Sequence, residues 1–550
     1  MKIEYKVRFG AEPSKNKIPL SIVRKMEGED TFVVESCNKY RGWTSSPDSI
    51  SCWIGSSDGD WYSAPDGEDM PIEFIKKWIN QWKKTGKIKE IQMLKNKLFS
   101  VTGTLLIILV CTVSILYGEQ LKDKYQKKAD QIITAALEQD ASYNRLAYLC
   151  DTFGHRFSGS ESLELAIDWI LAEMKSDGLE NVHGEEVMVP RWIRGNESAK
   201  LVHPYNKKLP MLGLGRSVGT PPEGINAEVL VVGSYDDLED CKSEAEGKIV
   251  LFDVPFTTYS ETVKYRYGGA SAAAKHGAVA SVIRSITPFS MNTPHTGGMS
   301  YDEEITKIPH AAITIEDASL IHRMQDLGQE PVISLYMEAH FEADTPSRNI
   351  IAELRGREFP DEIIVLGGHI DSWDVGQGAH DDAGGCVAAW EAVRILKELG
   401  LRPRRTLRVV MWTNEENGLR GAKNYRDSHL EEMENHILAI ESDNGVFNPR
   451  GFGFTGSEKA GELVKQAAGL LKSINADTIF DDGKEADTGP LLEEDVPVMA
   501  LKVDESTYFW YHHTAADAMD KVDKEEFNRC VAALAVMSYV IADQEERLPR

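Results

Sequence analysis

What this sequence has least of is paired cysteine and positive charge. Its seven cysteines, at 37, 52, 111, 150, 241, 386 and 530, fall in no CxxC or zinc-finger spacing. They suggest neither a metal-thiolate site nor a disulfide framework, although one or two bridges stay open without a pairing. Lysine and arginine number 61 against 87 aspartates and glutamates, a formal net charge of −26. A phosphate-binding surface needs a basic excess, so nucleic acid is excluded as a partner. With 550 residues and 42% hydrophobic content, the chain buries a substantial core and divides into more than one domain, because single cores stop growing beyond roughly 250 to 300 residues.

One run is long, apolar and free of charge: "LFSVTGTLLIILVCTVSILYG", Leu98 to Gly118, behind the lysine-dense "WKKTGKIKEIQMLKNK". Read from Met93, residues 93–118 form a signal peptide, and the product is secreted or lumenal, in the secretory pathway or lysosome. Read with residues 1–92 in place, the run spans a bilayer with the lysines on the cytoplasmic side, a type II membrane protein. A membrane is a partner only if the segment stays uncleaved. A buried core helix is the third reading, disfavoured because the run has no polar stripe. Residues 1–92 form an unassigned extension with a loop-rich Ser/Gly/Asp centre. "NES" at Asn196 fits the glycosylation pattern, a short motif that chance often supplies.

After the apolar run, residues 119–226 begin the main domain with helical apolar spacing in "YNRLAYLCDTFG" and "SLELAIDWILAEMKSDGL". Residues 227–341 carry short strand-like runs ("AEVLVVG", "GKIVLFDV", "VISLYME") around one Ala-rich helix, "GGASAAAKHG", which suggests an inserted β-rich domain. From 342 to 550 strands and helices alternate: "EIIVLGGH", "GGCVAAWEAVRILKELG", "TLRVVMWTN", "HILAIESD", "ELVKQAAGLLKS", "VMALKVD". That rhythm predicts an α/β fold with a mostly parallel central sheet covered by helices on both faces. Ligands in such folds gather at the carboxyl ends of the strands.

Acids and histidines sit at those ends. The first strand delivers His369 and Asp371, the loop after it Asp381 and Asp382, the next strand Glu415 and Glu416, the next Asp443; His512 and His513 lie beyond the last. Singly, each has a bland reading: "EE" is usually a solvated turn, "HxD" a surface pair, and "DD" before a helix an N-cap. Jointly, two histidines and three carboxylates are a donor set for a pair of zinc ions. Asp381, central to the sheet edge, is the natural bridge. Asp371 lies two residues from His369 on the same side of an extended strand, so its carboxylate is expected to take the imidazole's other N–H. Glu415 and Glu416 point in different directions, so one ligates and the other is a free general base.

"GGHIDSWDVGQGAHDDAGG", "LGLRPRRTLRVVMWTNEENG", "ESDNGVF" and "FTGSEKA" resemble the cocatalytic dizinc exopeptidases, a family of zinc aminopeptidases and glutamate carboxypeptidases, and the resemblance runs from about Lys122 to the C-terminus. It implies that His369 and Asp443 bind one zinc, Glu416 and His513 the other, and that Asp381 bridges them, with Glu415 as catalytic base. His513 is preferred because the family's ligand lies four residues before an aspartate, here Asp517; His512 is the second choice or a substrate contact. The resemblance also implies a cis Asp381–Asp382 peptide bond, a protease-associated-like insert, a homodimer, and Asp487, Tyr508 and Tyr511 near the cleft. Departures are Ala518 where the family often has threonine and Ala383 where it commonly has glycine. Residues 1–92 match nothing in it.

The expected reaction is hydrolysis of small peptides, foremost dipeptides with free termini, by a metal-activated water whose proton Glu415 passes to the leaving amine. Three rivals are weighed. A membrane-anchored glutamate carboxypeptidase-like enzyme would need an arginine cluster that is not evident beside these motifs. A glutaminyl cyclase-like transferase uses one zinc, and a non-catalytic receptor-like relative would have lost ligands that this chain keeps.

Overall fold

The computed structural model describes residues 121–550 together with four short strands nearer the N-terminus. The chain divides into two units, Met1–Ile115 and Leu116–Arg550. In the first, Leu20–Ile22 pairs antiparallel with Glu35–Cys37, and Ile54–Gly55 with Trp61–Tyr62. The apolar run at 98–118 lies outside the described residues, and no helix among those described is long and apolar enough to cross a membrane.

The second unit holds two eight-stranded sheets. The larger runs, edge to edge, Thr478–Phe480, Pro449–Thr455, Val498–Val503, His436–Glu441, Phe359–His369, Arg405–Trp412, Thr345–Leu354, Glu180–Val189. Its four inner strands are mutually parallel; Thr345–Leu354 joins them antiparallel on one side and Pro449–Thr455 on the other, with Glu180–Val189 antiparallel to the first and Thr478–Phe480 parallel to the second. The predicted α/β architecture is what is observed. Period-two alternation splits each strand between two cores. Ile364 and Leu366 face the helices Ala141–Phe153, Gly384–Glu398 and Lys524–Ala542, while Ile363 and Val365 face Ala422, Tyr425 and Leu491. Both faces are dry, which is why the strands read as continuous apolar runs rather than alternating ones.

The second sheet runs Lys207–Leu209, Glu197–His203, Val332–Met337, Ile225–Val232, Ile249–Phe252, Ala280–Arg284, His310–Ile313, Met211–Gly213. It corrects the expected insert in two respects. The domain begins near Glu197 rather than 227, because three short strands upstream of 227 pair into it; Pro204 and the Lys207–Lys208 pair interrupt the apolar pattern that would have announced them. It is also layered α/β rather than β-rich. Tyr259–Ala274 covers one face and Ile315–Asp326 the other, each started by a threonine side chain, Thr258 or Thr314, that accepts a backbone N–H. The insert leaves and rejoins the larger sheet on adjacent antiparallel strands, Val189 opposite Thr345. Cys150, Cys241, Cys386 and Cys530 are free thiols.

Gly367, in the central strand, sits where an added Cβ would lie 1.7 Å from the carbonyl oxygen of Val410 on the neighbouring strand. Gly367→Ala is therefore expected to destabilise the protein by at least about 1–3 kcal/mol through overpacking. Gly469→Ala, with nothing within 4 Å of the new methyl, is the matched control and should leave the urea midpoint nearly unchanged. Equal midpoints for the two variants would refute the packing argument.

Candidate metal centre

The parallel register brings the strand ends level. His369 pairs with Trp412 and Gly367 with Glu441, so Glu415, Glu416 and Asp443, a few residues past their strands, arrive beside His369. The chain then turns through 379–383, where the Asp381–Asp382 peptide bond is cis. Asp382 folds back, its carboxylate accepting the N–H of His369 (3.1 Å) and of Gly385 (3.0 Å). Only glycine fits at 368 and 385, since a Cβ would lie 1.9 Å and 2.4 Å from that carboxylate. The turn is clamped from outside by Asp517, which accepts the backbone N–H groups of Ala379 (3.1 Å), His380 (2.8 Å) and Asp381 (3.1 Å).

This leaves the Asp381 carboxylate between two imidazoles. Its Oδ1 lies 3.3 Å from His369 Nε2, which is 3.2 Å from Asp443 Oδ1. Its Oδ2 lies 3.3 Å from His513 Nε2, which is 3.2 Å from Glu416 Oε2. Donors at the corners of a tetrahedron with bonds of about 2.0 Å stand about 3.3 Å apart, the spacing of each of these four imidazole–carboxylate pairs; His369, Asp381 and Asp443 bring ligand atoms within 4.8 Å of one another, and so do Asp381, His512 and His513. Asp381 Oδ2 and Glu416 Oε1 are buried with no hydrogen-bond partner, and a small cavity opens among Asp381, Glu416 and His513. The donor set fits the metal.

His512 is also near, its Nε2 3.8 Å from Asp381 Oδ2. Its ring is stacked on that of His513 with centroids 3.5 Å apart, and it packs against Tyr259 and Tyr508. His513 is thus the closer of the pair to Asp381 and the one that faces Glu416. Burial alone would depress the His369 imidazole, but Asp443 and Asp381 outweigh it and hold it well above its ordinary value.

Asp371 departs from expectation. Nδ1 of His369 donates to the backbone carbonyl of Asp371 at 3.0 Å, while the carboxylate stands 3.8 Å away. Asp371 instead accepts the N–H of Glu415 at 3.0 Å. The side chain orients the Glu415 backbone, and the main chain orients the histidine. Glu415 itself is part-exposed, and burial together with Asp443, Glu416 and Asp371 pushes its carboxyl well above the usual range, against the pull of His369. Asp487 is buried with both carboxylate oxygens unpartnered. Burial and the neighbouring charges of Glu441 and Glu415 raise it well above the usual carboxylate range. Tyr508 is buried, and burial with Asp381 and Asp443 raises its phenol. Tyr511 takes a different place, stacking on His380 and packing on the main core. Asn196 is exposed, with its side-chain amide donating to Glu338 at 2.9 Å.

Several working residues left no signal in the sequence. Arg156, fully buried, donates to the carbonyls of Ile370 (2.9 Å), Gln377 (2.7 Å) and Gly378 (3.0 Å), bracing the loop between His369 and Asp381. Asp374 in that loop pairs with Arg194 at the root of the insert, at 2.6 Å and 2.8 Å. An arginine in a loop and its acceptors some two hundred residues away share no periodicity. Asp517 was visible only as a spacing marker.

A doubly covered, mostly parallel sheet with imidazole–carboxylate pairs at its strand ends is the build of a metal-dependent hydrolase. Residues 349–538 match the profile of Peptidase family M28. Carboxypeptidase Q of Mus musculus is 46% identical over 429 residues, 78% of this chain and 91% of the mouse protein, and that of Homo sapiens 48% identical over 412 residues, 75% and 87%. The crystal structure of a peptidase M28 precursor from Shewanella amazonensis SB2B matches with a TM-score of 0.76 at 35% identity, covering 78% of this chain and 99% of that one. BSAP, a zinc aminopeptidase from Bacillus subtilis, shares the fold at a TM-score of 0.56 and 21% identity, over 74% and 96%. The chain belongs to peptidase family M28 and is a metallopeptidase.

Because Asp517 holds three consecutive N–H groups around Asp381, Asp517→Asn, which keeps the size but loses the charge, should weaken zinc binding by about 10- to 100-fold, the range for residues that orient metal ligands. Chelator competition measures this. Unchanged affinity would show that the turn holds Asp381 without the clamp.

Proposed function

We propose that this zinc-dependent exopeptidase hydrolyses short peptides, foremost dipeptides with free termini, at a centre of two zinc ions. One position is formed by His369, Asp443 and Asp381, the other by His513, Glu416 and Asp381. The observation that carries this reading is the Asp381 carboxylate, whose two oxygens each face a separate imidazole–carboxylate pair at 3.2–3.3 Å. Bound zinc supplies Lewis acidity, polarising a carbonyl and lowering the pKa of a water to about 7.

Glu415 is the general base. It adjoins the donors without joining either pair, the place for a carboxylate that takes a proton from water and returns it to a leaving amine. Asp371 fixes the Glu415 backbone. Tyr508 and His512 stand beside the bridging carboxylate as substrate contacts, and Asp487 lies behind Glu415. The short substrate is supported by the insert, which packs onto the centre: a Cβ on Gly215 would lie 2.0 Å from the Trp373 ring, and Trp373 in turn packs on His513. Secretory localisation is supported by the uncharged run at 98–118 and by the exposed sequon at Asn196.

Glu415→Gln should lower kcat for dipeptides by about 10²–10⁴-fold, the usual contribution of a general base, with zinc content unchanged. Asp381→Ala should lose both zinc equivalents, whereas Asp443→Ala and Glu416→Ala should each lose one. Metal analysis beside a dipeptide-library assay checks all four. Full turnover by the glutamine variant would remove Glu415 from its role, and a wild-type content of one zinc would remove the two-metal centre.

A further inference from the structure

His513 has φ 61°, a backbone conformation that bulky L-residues seldom adopt, and something must hold it there. The hold comes from the inserted domain. The N–H of Thr296 donates to the His513 carbonyl at 3.0 Å, and His513 Nδ1 donates back to the Thr296 carbonyl at 3.3 Å. Nδ1 of His295 donates to the His512 carbonyl at 2.8 Å, and the Thr287 hydroxyl to that of Phe509 at 2.6 Å.

The insert loop that reaches across is itself pinned. His295 N–H donates to Ser285 Oγ at 2.9 Å, Thr296 Oγ1 to the Gly213 carbonyl at 2.8 Å, and Gly215 N–H to the Gly297 carbonyl at 3.0 Å. Arg266, buried on the helix Tyr259–Ala274, crosses behind the loop. Its Nε donates to the Gly298 carbonyl at 3.2 Å, its Nη1 to that of Thr296 at 3.5 Å, and its Nη2 to the Tyr259 hydroxyl at 2.7 Å; Nη1 also lies 3.4 Å from His513 Nδ1. Gly297, at φ 137°, is wedged between them, for a Cβ there would lie 2.3 Å from Arg266 and 2.7 Å from His513 Nδ1.

A metal-binding imidazole needs its second nitrogen fixed so that the first presents a lone pair in one direction. His369 obtains this from the Asp371 carbonyl, within the peptidase sheet's own loop. His513 obtains it from a different domain. We propose that Arg266, Thr296 and Gly297 are positioning residues of the metal centre, and that occupancy of the position shared by His513, Glu416 and Asp381 depends on these three contacts from the insert while the His369 position does not. The proposal rests on the two-metal reading.

The test is zinc titration of the full chain with a competing chelator. Arg266→Leu and Gly297→Ala should leave one tight zinc equivalent and weaken the other by about 10- to 100-fold, and Arg266→Lys should fall between Arg266→Leu and wild type. Gly328→Ala is the control in the same domain: it also places a methyl at positive φ, 72°, but with nothing within 4 Å, and it should bind both equivalents as the wild type does. Two tight equivalents in Arg266→Leu and Gly297→Ala would overturn the proposal, as would a parallel weakening of both. Should the leucine and alanine variants fail to fold, Arg266→Lys decides: selective weakening of one equivalent supports it and none overturns it. A wild type that binds one zinc would instead fail the two-metal reading itself.

Discussion

The constraint on which the rest of the molecule depends is a crowd of carboxylates in one place. Asp371, Asp381, Asp382, Glu415, Glu416, Asp443 and Asp487 gather at the ends of three parallel strands, most of them buried. Removing one such charge from water costs several kcal/mol, and like charges at these distances repel. The pressure is visible in the proton affinities: burial first, then neighbouring acids, raise Asp382, Glu415 and Asp487 far above ordinary carboxyls and Glu416 to about 7. Two histidines do not balance that charge. Divalent cations do, and a pocket of this sign at mostly buried strand ends is the arrangement that metal binding stabilises.

Keeping such a pocket assembled falls to backbone groups. Asp382 is held by two N–H groups and Asp517 by three, and the cation among the fixed parts, Arg156, spends its donors on carbonyls of the same loop. Main-chain dipoles thus fix the geometry while Asp381 Oδ2 and Glu416 Oε1 stay unpartnered. Asp374 extends the scheme outward, since its pair with Arg194 ties the loop between His369 and Asp381 to the root of the insert. The insert is therefore joined to the centre on two sides, through Asp374 and through the His512–His513 segment.

The parts of this that were legible in the sequence are those with a local signature. Alternating strands and helices announce the parallel sheet, strand ends announce where the acids meet, and Gly368 of "GGH" and Gly385 of "DDAGG" do lie where Asp382 and Ser442 leave no room for a side chain. Spacing gave the right neighbourhood for Asp371 but the wrong atom. Two residues apart on one face puts its carboxylate near His369, yet a carbonyl on a turning chain is closer, and no side-chain pattern reports main-chain direction. The insert's first strands carry no continuous apolar pattern because lysine and proline interrupt them, and the partner of Glu197–His203, Val332–Met337, is more than a hundred residues distant. Tyr511 shares a motif with Tyr508 but points three residues further round a helical turn, onto His380.

The three doublets of the site show how adjacency itself is used. In the two acid doublets neighbouring side chains point apart and divide the work, whereas His512 and His513 stack and both approach Asp381 Oδ2, at 3.8 Å and 3.3 Å. Asp381 faces both imidazoles, while Asp382 ties the His369 strand to the helix behind it. Glu416 faces His513, while Glu415 stands free with its proton affinity raised. His513 faces the carboxylates, while His512 stacks on it and lies among aromatic rings of both domains. In each acid doublet one member faces an imidazole of the donor cluster while the other, Asp382 or Glu415, stands outside those pairs. Exchange within an acid doublet is not available as compensation, because the backbone that aims one residue inward aims its neighbour elsewhere. The proposed donors and base stand within a few ångströms of one another because three doublets supply Asp381, Glu416, His513 and Glu415 while His369 and Asp443 arrive from the ends of their own strands.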